Sequence, residues 1–172
     1  MRSLRVKRIL ITGMSGTGKT SVIEELSRRG FTAIDTDSDE WCEWTVGHEV
    51  GSETSEPDWV WREDRMWHLL SEPREAPLFV SGCKTNQGKF YDRFDHVVLL
   101  SALPEVMLER IKGRTNNPYG KSAEERDRIL QHVRFVEPLL RHRATLELDT
   151  SALTVAEVAD RLLALTTRNA QG

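Results

Sequence analysis

Residues 13–20 read Gly-Met-Ser-Gly-Thr-Gly-Lys-Thr and match the pattern G-x-x-x-x-G-K-[ST] at every fixed position. Such glycines let backbone N–H groups turn inward around phosphate oxygens, and the N-terminus of a following helix adds positive potential. In this chemistry Lys19 bridges the β- and γ-phosphates of a nucleotide, and the Thr20 hydroxyl ligates Mg²⁺. The spacing therefore predicts a site for ATP and Mg²⁺. The predicted nucleotide contacts are Gly13, Met14, Ser15, Gly16, Thr17, Gly18, Lys19, Thr20 and Ser21.

The sequence on either side of this loop supports the prediction. The apolar run Arg8–Thr12 suits a buried strand. Val22, Ile23 and Leu26 recur at helical spacing, and Gly30 after them is the residue type that commonly ends a helix. A glycine-rich turn without a ligand is the alternative. A strand directly before the loop and a helix directly after it favour phosphate binding.

Two aspartates supply the carboxylates that phosphoryl transfer requires. The expected second strand, Phe31–Ile34, ends at Asp35-Thr36-Asp37, whereas the third, Leu78–Gly82, leads into Cys83 without an acidic residue. Side chains two positions apart point to the same side of an extended chain. We predict that Asp35 orients a Mg²⁺-bound water and that Asp37 accepts a proton from a substrate hydroxyl. A pair of turn-forming aspartates is the alternative.

A mobile basic lid over residues 114–124 is expected to neutralise phosphate charge. Arg110 and Arg114 are i,i+4 neighbours on one predicted helix, and a loop rich in Asn, Pro and Gly leads to Lys121. All three are candidates to contact the nucleotide phosphates, and the Arg114 guanidinium also suits stacking on adenine. We predict a catalytic role for Arg114 together with Lys19 and Asp37. A solvated charged face is the alternative.

The remaining periodicity alternates strands and helices, which predicts an α/β chain: a three-layer fold with a five-stranded parallel sheet and helices on both faces. Ligands of such sheets bind at the carboxyl ends of the strands. Ser122 and Glu125 form a capping box at the start of a helix. The other expected strands are His96–Leu100 and Thr145–Leu148, and the other expected helices are Glu40–Thr45, Asp58–Leu70, Pro104–Arg114 and Thr154–Leu165.

Composition limits the classes of function. The chain has 172 residues, expected to form one domain over 1–172, and a net charge of −3, which gives no support to nucleic-acid binding. Cys42 and Cys83 form no disulfide framework or metal cluster, and no apolar run reaches membrane-spanning length. We expect a cytoplasmic protein, monomeric or homodimeric, whose partner is a small-molecule acceptor.

The acceptor-binding region is expected at 36–72, where charge and tryptophan are both concentrated. Eleven acidic residues and one basic residue lie between Asp35 and Asp64, and all five tryptophans, Trp41 among them, fall in or just after that segment. Indole faces bind sugar rings, planar bases or cations, and excess carboxylate favours a neutral or amine-bearing acceptor. The alternative is that the carboxylates face solvent and the tryptophans pack in the core.

Over nearly its whole length the chain resembles the small P-loop kinases of the nucleoside-monophosphate-kinase fold, especially shikimate kinase and gluconate kinase. The loop, the Asp-x-Asp after the second strand and the lid start resemble shikimate kinase. That resemblance implies a metal-shell role for Asp35, an acceptor-hydroxyl role for Asp37, and acceptor-binding arginines at Arg62 and Arg134.

Other segments are similar to gluconate kinase. The run Glu63-Asp64-Arg65 and the strand end Ser81-Gly82-Cys83 carry this similarity and add Arg65, Gly82 and Cys83 as acceptor contacts. Lys121 in the lid is a further candidate. The third-strand end departs from the Gly-Gly-Gly of shikimate kinase, and the lid lacks the His-Phe of gluconate kinase.

Together these features predict an ATP-dependent kinase that transfers the γ-phosphate to a hydroxyl of a small metabolite. A nucleoside or nucleoside-monophosphate kinase is one alternative. A nucleotide-binding regulatory or interaction protein is another, but such a protein would not require Asp35 and Asp37.

Overall fold

The computed structural model describes residues 5–45, 57–115 and 118–167. Its central sheet has five parallel strands in the order β2-β5-β1-β6-β7, which confirms the predicted fold class. These strands are β1 (Arg8–Thr12), β2 (Thr32–Asp35), β5 (Leu78–Ser81), β6 (His96–Ser101) and β7 (Leu146–Asp149). Because β1 lies at the centre, the loop that follows it emerges between β5 and β6.

Helices cover both faces of the sheet because side chains alternate along each strand. Ile9 and Ile11 pack in one apolar cluster with α1 and α6, whereas Leu10 packs in another with α2. The helices are α1 (Lys19–Arg28), α2 (Glu63–Ser71), α3 (Pro104–Gly113), α4 (Ala123–Phe135), α5 (Glu137–Arg143) and α6 (Val155–Thr167). Within the described ranges, no helix is both long enough and apolar enough to cross a bilayer.

Two predicted helices in the acidic segment are wrong in type or extent. The predicted helix over Glu40–Thr45 is instead strand β3 (Cys42–Trp44), paired antiparallel with β4 (Trp59–Trp61) in a separate two-stranded sheet. The predicted helix over Asp58–Leu70 begins only at Glu63, because the preceding residues form β4. Cross-strand pairing of indoles, Trp44 opposite Trp59, stabilises extended structure here.

Other boundaries agree with the sequence to within a few residues. The capping box of α4 is present, with the Ser122 hydroxyl accepting from the Glu125 backbone N–H and the Glu125 carboxylate accepting from that of Ser122. A 3₁₀ helix over Gln87–Arg93 and the short helix α5 were not predicted. Both are only seven residues long and lack a clear apolar period.

Candidate active site

The glycine-rich loop between β1 and α1 lies against α3. Gly16 has a φ of +84°, and a Cβ there would lie 2.9 Å from the Met107 carbonyl oxygen. A side chain at this position would be strained and crowded. Glycine is therefore required for the loop to pack on the helix that carries Arg110 and ends just before Arg114.

Lys19, the first residue of α1, folds back beneath the loop. Its Nζ donates to the carbonyl oxygens of Gly13 at 2.7 Å and Met14 at 3.1 Å. Burial lowers the pKa of this ammonium, although the nearby Cys83, Asp35 and Asp37 favour its charged form. The loop thus carries a positive charge at the point where a phosphate would enter.

The two residues predicted to hold the metal are in contact. The Thr20 hydroxyl lies 3.1 Å from Oδ2 of Asp35, and the other carboxylate oxygen accepts the Asp37 backbone N–H at 3.0 Å. Among the described residues, no group of three or more His, Cys, Asp or Glu side chains is arranged to hold a metal ion. Two protein oxygens fit Mg²⁺, which keeps several waters and is completed by substrate phosphates.

Asp37 forms an ion pair that the sequence did not indicate. Lys84 Nζ donates to Oδ1 of Asp37 at 2.9 Å, and the Lys84 side chain is only 11% exposed. The Lys84 backbone N–H donates to Oε1 of the buried Gln87 at 2.9 Å, which fixes the chain after β5. The sequence signal that could have identified Lys84 is its position just after the end of a central strand, β5.

Arg110 and Arg114, both predicted to contact the nucleotide phosphates, contact the phosphate loop. Arg110 donates to the Gly16 carbonyl at 3.2 Å, to the Thr150 hydroxyl at 2.9 Å and to the Thr150 carbonyl at 2.7 Å. Arg114 lies 3.5 Å from the Ser15 hydroxyl and donates to the Tyr119 carbonyl at 2.6 Å, and burial lowers its pKa. The Nζ of Lys121 donates to the Arg114 carbonyl at 2.6 Å.

A cavity of about 1230 Å³ joins these groups. The loop, Asp35, Asp37, Gly82, Cys83, Arg110 and Arg114 line it, as the sequence predicted for a common site. Such a volume exceeds that of most single-ligand pockets and has room for a nucleotide and a small acceptor. Further lining residues that the sequence did not single out are Asp39, Trp44, Asp58, Trp59, Lys84, Arg128 and His132.

Five residues predicted as acceptor contacts, Lys121 among them, are not on the lining of this cavity. Arg62 donates to the Asp39 carbonyl and to the Glu43 carboxylate. Trp41 and Arg65 line a separate cavity of about 470 Å³ beside α2. The guanidinium of Arg134 stacks on Phe135, 5.3 Å from the ring centroid. The structure does not bring these side chains to the cavity beside the loop.

The tryptophan-rich segment divides between the two alternatives that the sequence left open. Trp44 and Trp59 line the large cavity, with ring centroids 5.1 Å apart. Trp61 is fully buried, and Trp67 packs on Phe90 with centroids 4.7 Å apart. Glu49, Glu53 and Glu56 lie outside the described residues.

A parallel sheet with a glycine-rich phosphate loop after its central strand defines the P-loop nucleotide-binding class. Residues 9–131 match the AAA domain family, and the chain belongs to that family.

Comparison of whole chains agrees with the resemblance to shikimate kinase. The chain is 27% identical to a shikimate kinase of Syntrophus aciditrophicus (strain SB) over 175 residues, covering 91% of this chain and 89% of that relative. Homology to shikimate kinases supports a kinase-like P-loop protein. It leaves the acceptor open.

Solved structures show the same fold. The shikimate kinase of Acinetobacter baumannii in complex with shikimate superposes with a TM-score of 0.66 and 19% identity, covering 98% of this chain and 97% of that one. The shikimate kinase of Bacteroides thetaiotaomicron gives a TM-score of 0.63 and 23% identity, covering 93% and 98%.

Proposed function

We propose that this protein is an ATP-dependent kinase that transfers the γ-phosphate to a hydroxyl group of a small metabolite. The observation that carries the proposal is the chain of contacts from Thr20 through Asp35 to Asp37. Two oxygens that we assign to Mg²⁺, from Thr20 and Asp35, thus lie beside a second carboxylate in one cavity with the loop lysine. A protein that only senses a nucleotide does not need the second carboxylate.

Each residue then has a defined role. Lys19 and the loop N–H groups hold the phosphates, while Arg110 and Arg114 neutralise charge that develops on the transferred group. Thr20 and Asp35 would hold Mg²⁺, which when bound offsets negative charge between the β- and γ-phosphates. Asp37 accepts the proton of the acceptor hydroxyl. The hydroxyl oxygen bonds to the γ-phosphorus while the bond between that phosphorus and the oxygen leaving with ADP breaks.

Lys84 occupies one oxygen of the proposed base. Its ammonium contacts Oδ1 of Asp37, so the acceptor hydroxyl is expected to approach Oδ2. The pair also sets the orientation of the carboxylate before the acceptor arrives. Lys84 is therefore a positioning residue in this proposal.

The decisive experiment is an ATP-consumption screen with Mg²⁺ over polyols, sugar acids, nucleosides, nucleotides and amino sugars, with Lys19→Ala as the control. Acceptor-dependent turnover that is absent from the control supports a kinase, because acceptor binding completes the site. A best acceptor among nucleosides or nucleotides would identify the alternative kinase class. Tight ATP binding without turnover on any acceptor would instead favour a nucleotide-gated binding protein.

The role of Asp37 has its own test. Asp37→Asn is expected to lower turnover by about 10²–10⁴-fold, the usual contribution of general-base catalysis, with ATP affinity nearly unchanged. The matched control is Asp92→Asn, an exposed carboxylate on the 3₁₀ helix. Unchanged turnover in Asp37→Asn with normal ATP binding would rule out the base role.

A further inference from the structure

We infer that the acceptor is a hydroxyl-bearing ring compound with a protonated amine, bound between the Trp44–Trp59 indole pair and the carboxylates of Asp39 and Asp58. This inference rests on the proposed kinase function and specifies its substrate class. It depends on two independent observations, the charge of the cavity wall and the aromatic surface beside it.

The first observation is how the cavity carboxylates are paired. Lys84 neutralises Asp37, and Asp35 faces the Thr20 hydroxyl in the proposed metal site. The partner that the described residues offer the Asp58 carboxylate is neutral, the hydroxyl of Thr85. Among the described residues, no hydrogen bond or ion pair reaches the Asp39 carboxylate. The wall therefore has two carboxylates without a described cationic partner.

The cavity's other basic side chains lie on elements other than this wall. Arg110 on α3 and Arg114, the residue after its C-terminal end, contact the phosphate loop. Arg128 and His132 project from α4, which packs against α3. The two arginines that contact the loop suit the anionic phosphates of ATP. The Asp39 and Asp58 wall lies instead on the segment that leads to and forms the β3–β4 hairpin.

The second observation is the indole pair on that hairpin. Trp44 and Trp59 are cross-strand partners, their planes are tilted by 53°, and Trp44 is 64% exposed. An indole with this exposure at the edge of a cavity offers a face to a ring or a cation. Asp58 directly precedes Trp59, and the backbone N–H of Asp58 donates to the Thr45 hydroxyl at 3.0 Å. Aromatic faces and carboxylates are thus held together by one hairpin.

An amine-bearing ring satisfies both features. Its ammonium pairs with Asp39 and Asp58, and the C–H face of its ring or the ammonium itself contacts the indoles. A hydroxyl on the same ring would then face Asp37, which lines the same cavity as Asp39 and Asp58. An anionic sugar acid would instead place its carboxylate against this wall and bind poorly.

The test compares four matched probes, glucosamine, N-acetylglucosamine, glucose and gluconate, together with the aminocyclitol 2-deoxystreptamine and its neutral counterpart inositol. Binding is measured by calorimetry in the presence of Mg²⁺ and a non-hydrolysable ATP analogue, at low and high salt. We expect the amines to bind at least about tenfold more tightly than their neutral or anionic counterparts, and to weaken as salt screens the pairs. Turnover of ATP is measured on the same probes.

Variants locate the effect. Asp39→Asn with Asp58→Asn should weaken amine binding by about tenfold or more, because charge-assisted hydrogen bonds are lost, while binding of the ATP analogue is unchanged. The control is Glu40→Gln, a nearby exposed carboxylate 4.0 Å from Arg65 and not on the cavity lining. An equal loss in the control would overturn the assignment to Asp39 and Asp58.

The two proposals fail in different ways. Selective amine binding without turnover would support this inference and contradict the kinase function. Turnover that is best with gluconate, or equal for charged and neutral probes, would support a kinase and overturn the amine-bearing acceptor. Failure of every amine to bind would also overturn it.

Discussion

The indole nitrogen of Trp61 donates a hydrogen bond of 2.7 Å to the hydroxyl of Thr36, and both residues are fully buried. The same hydroxyl donates to the Ser81 carbonyl at 2.6 Å, at the end of the neighbouring strand. Because Thr36 lies between Asp35 and Asp37, these bonds fix the backbone that carries both carboxylates. Trp61 thereby connects the β3–β4 hairpin to the centre of the site.

Trp61→Phe should impair turnover through this connection. Phenylalanine keeps an aromatic ring but removes the donor, at a cost of about 1–3 kcal/mol in the free energy of unfolding. We expect kcat with the best acceptor to fall by about tenfold, since misplaced catalytic groups lower rates strongly. ATP affinity should change little. Steady-state kinetics and urea unfolding measure the two effects.

The control for this substitution is Trp67→Phe, which alters an indole that is 36% exposed. If Trp61→Phe lowers stability but leaves kcat as high as the control does, the hydrogen bond has no positioning role.

Gly82→Ala should disturb the same point from the opposite side. A Cβ at Gly82 would lie 2.5 Å from the Thr36 hydroxyl and 3.0 Å from the Trp61 ring. Overpacking of this kind costs about 1–3 kcal/mol. We expect a lower unfolding midpoint in urea and a lower kcat.

Gly88→Ala is the matched comparison, because the nearest atom to its added Cβ lies 4.0 Å away. Equal stability of the two alanine variants would contradict the close packing at Gly82.

Thr150→Val should weaken nucleotide binding. The buried Thr150 hydroxyl accepts from Arg110 and lies 2.7 Å from the Thr17 carbonyl, so it links the end of β7 to the phosphate loop. Valine keeps the shape but removes these bonds, at about 1–3 kcal/mol. We expect KM for ATP to rise several-fold with KM for the acceptor nearly constant.

Thr167→Val, at the end of α6, serves as the control, because its exposed hydroxyl donates to the Ala164 carbonyl of its own helix, at 3.2 Å. A change in acceptor KM alone in Thr150→Val would contradict the proposed link to the nucleotide.

Glu125 should make the stability of the predicted lid depend on pH. The backbone N–H groups of Ser122 and Gly120 donate to its carboxylate and hold its pKa below the ordinary value of 4.5. A carboxyl with a lowered pKa in the folded state stabilises that state above its unfolded pKa and loses this effect as pH falls through the folded pKa. Urea unfolding between pH 7 and pH 3 should therefore show a gap between wild type and Glu125→Gln that narrows at acidic pH.

Glu124→Gln, an exposed neighbour in the same helical turn, is the comparison for that titration. A gap of constant size from pH 7 to pH 3 would show that the charge of Glu125 does not contribute.

The sequence was sufficient to predict the phosphate loop, its flanking strand and helix, and the side-by-side aspartates, because the relevant signals are local. The loop pattern, the apolar run of β1 and the two-residue spacing of Asp35 and Asp37 each lie within a few positions. Parallel topology then brings β2 and β5 side by side, with Asp35 opposite Ser81. Helix α1 packs against β2, and this packing brings Thr20 in its first turn to Asp35.

The acceptor half was harder to predict because its contacts are distant in sequence. Strands β3 and β4 are three residues each, too short to show the period of a strand, and the sequence predicted helices over both. Lys84 reaches Asp37 across 47 positions. A pattern also cannot say which arginine is already paired, as Arg62 is with Glu43.

The β3–β4 hairpin forms a sheet of its own, and Trp61 is its buried connection to Thr36. Because it is a separate sheet, we expect that evolution can replace this hairpin by another without changing the central sheet. The indoles and carboxylates that face the cavity can diversify while the nucleotide machinery stays constant, provided that the anchoring tryptophan is kept. Related chains with different hairpins are then expected to use the same phosphate donor for different molecules, and transplanting the hairpin would transfer the preference with it.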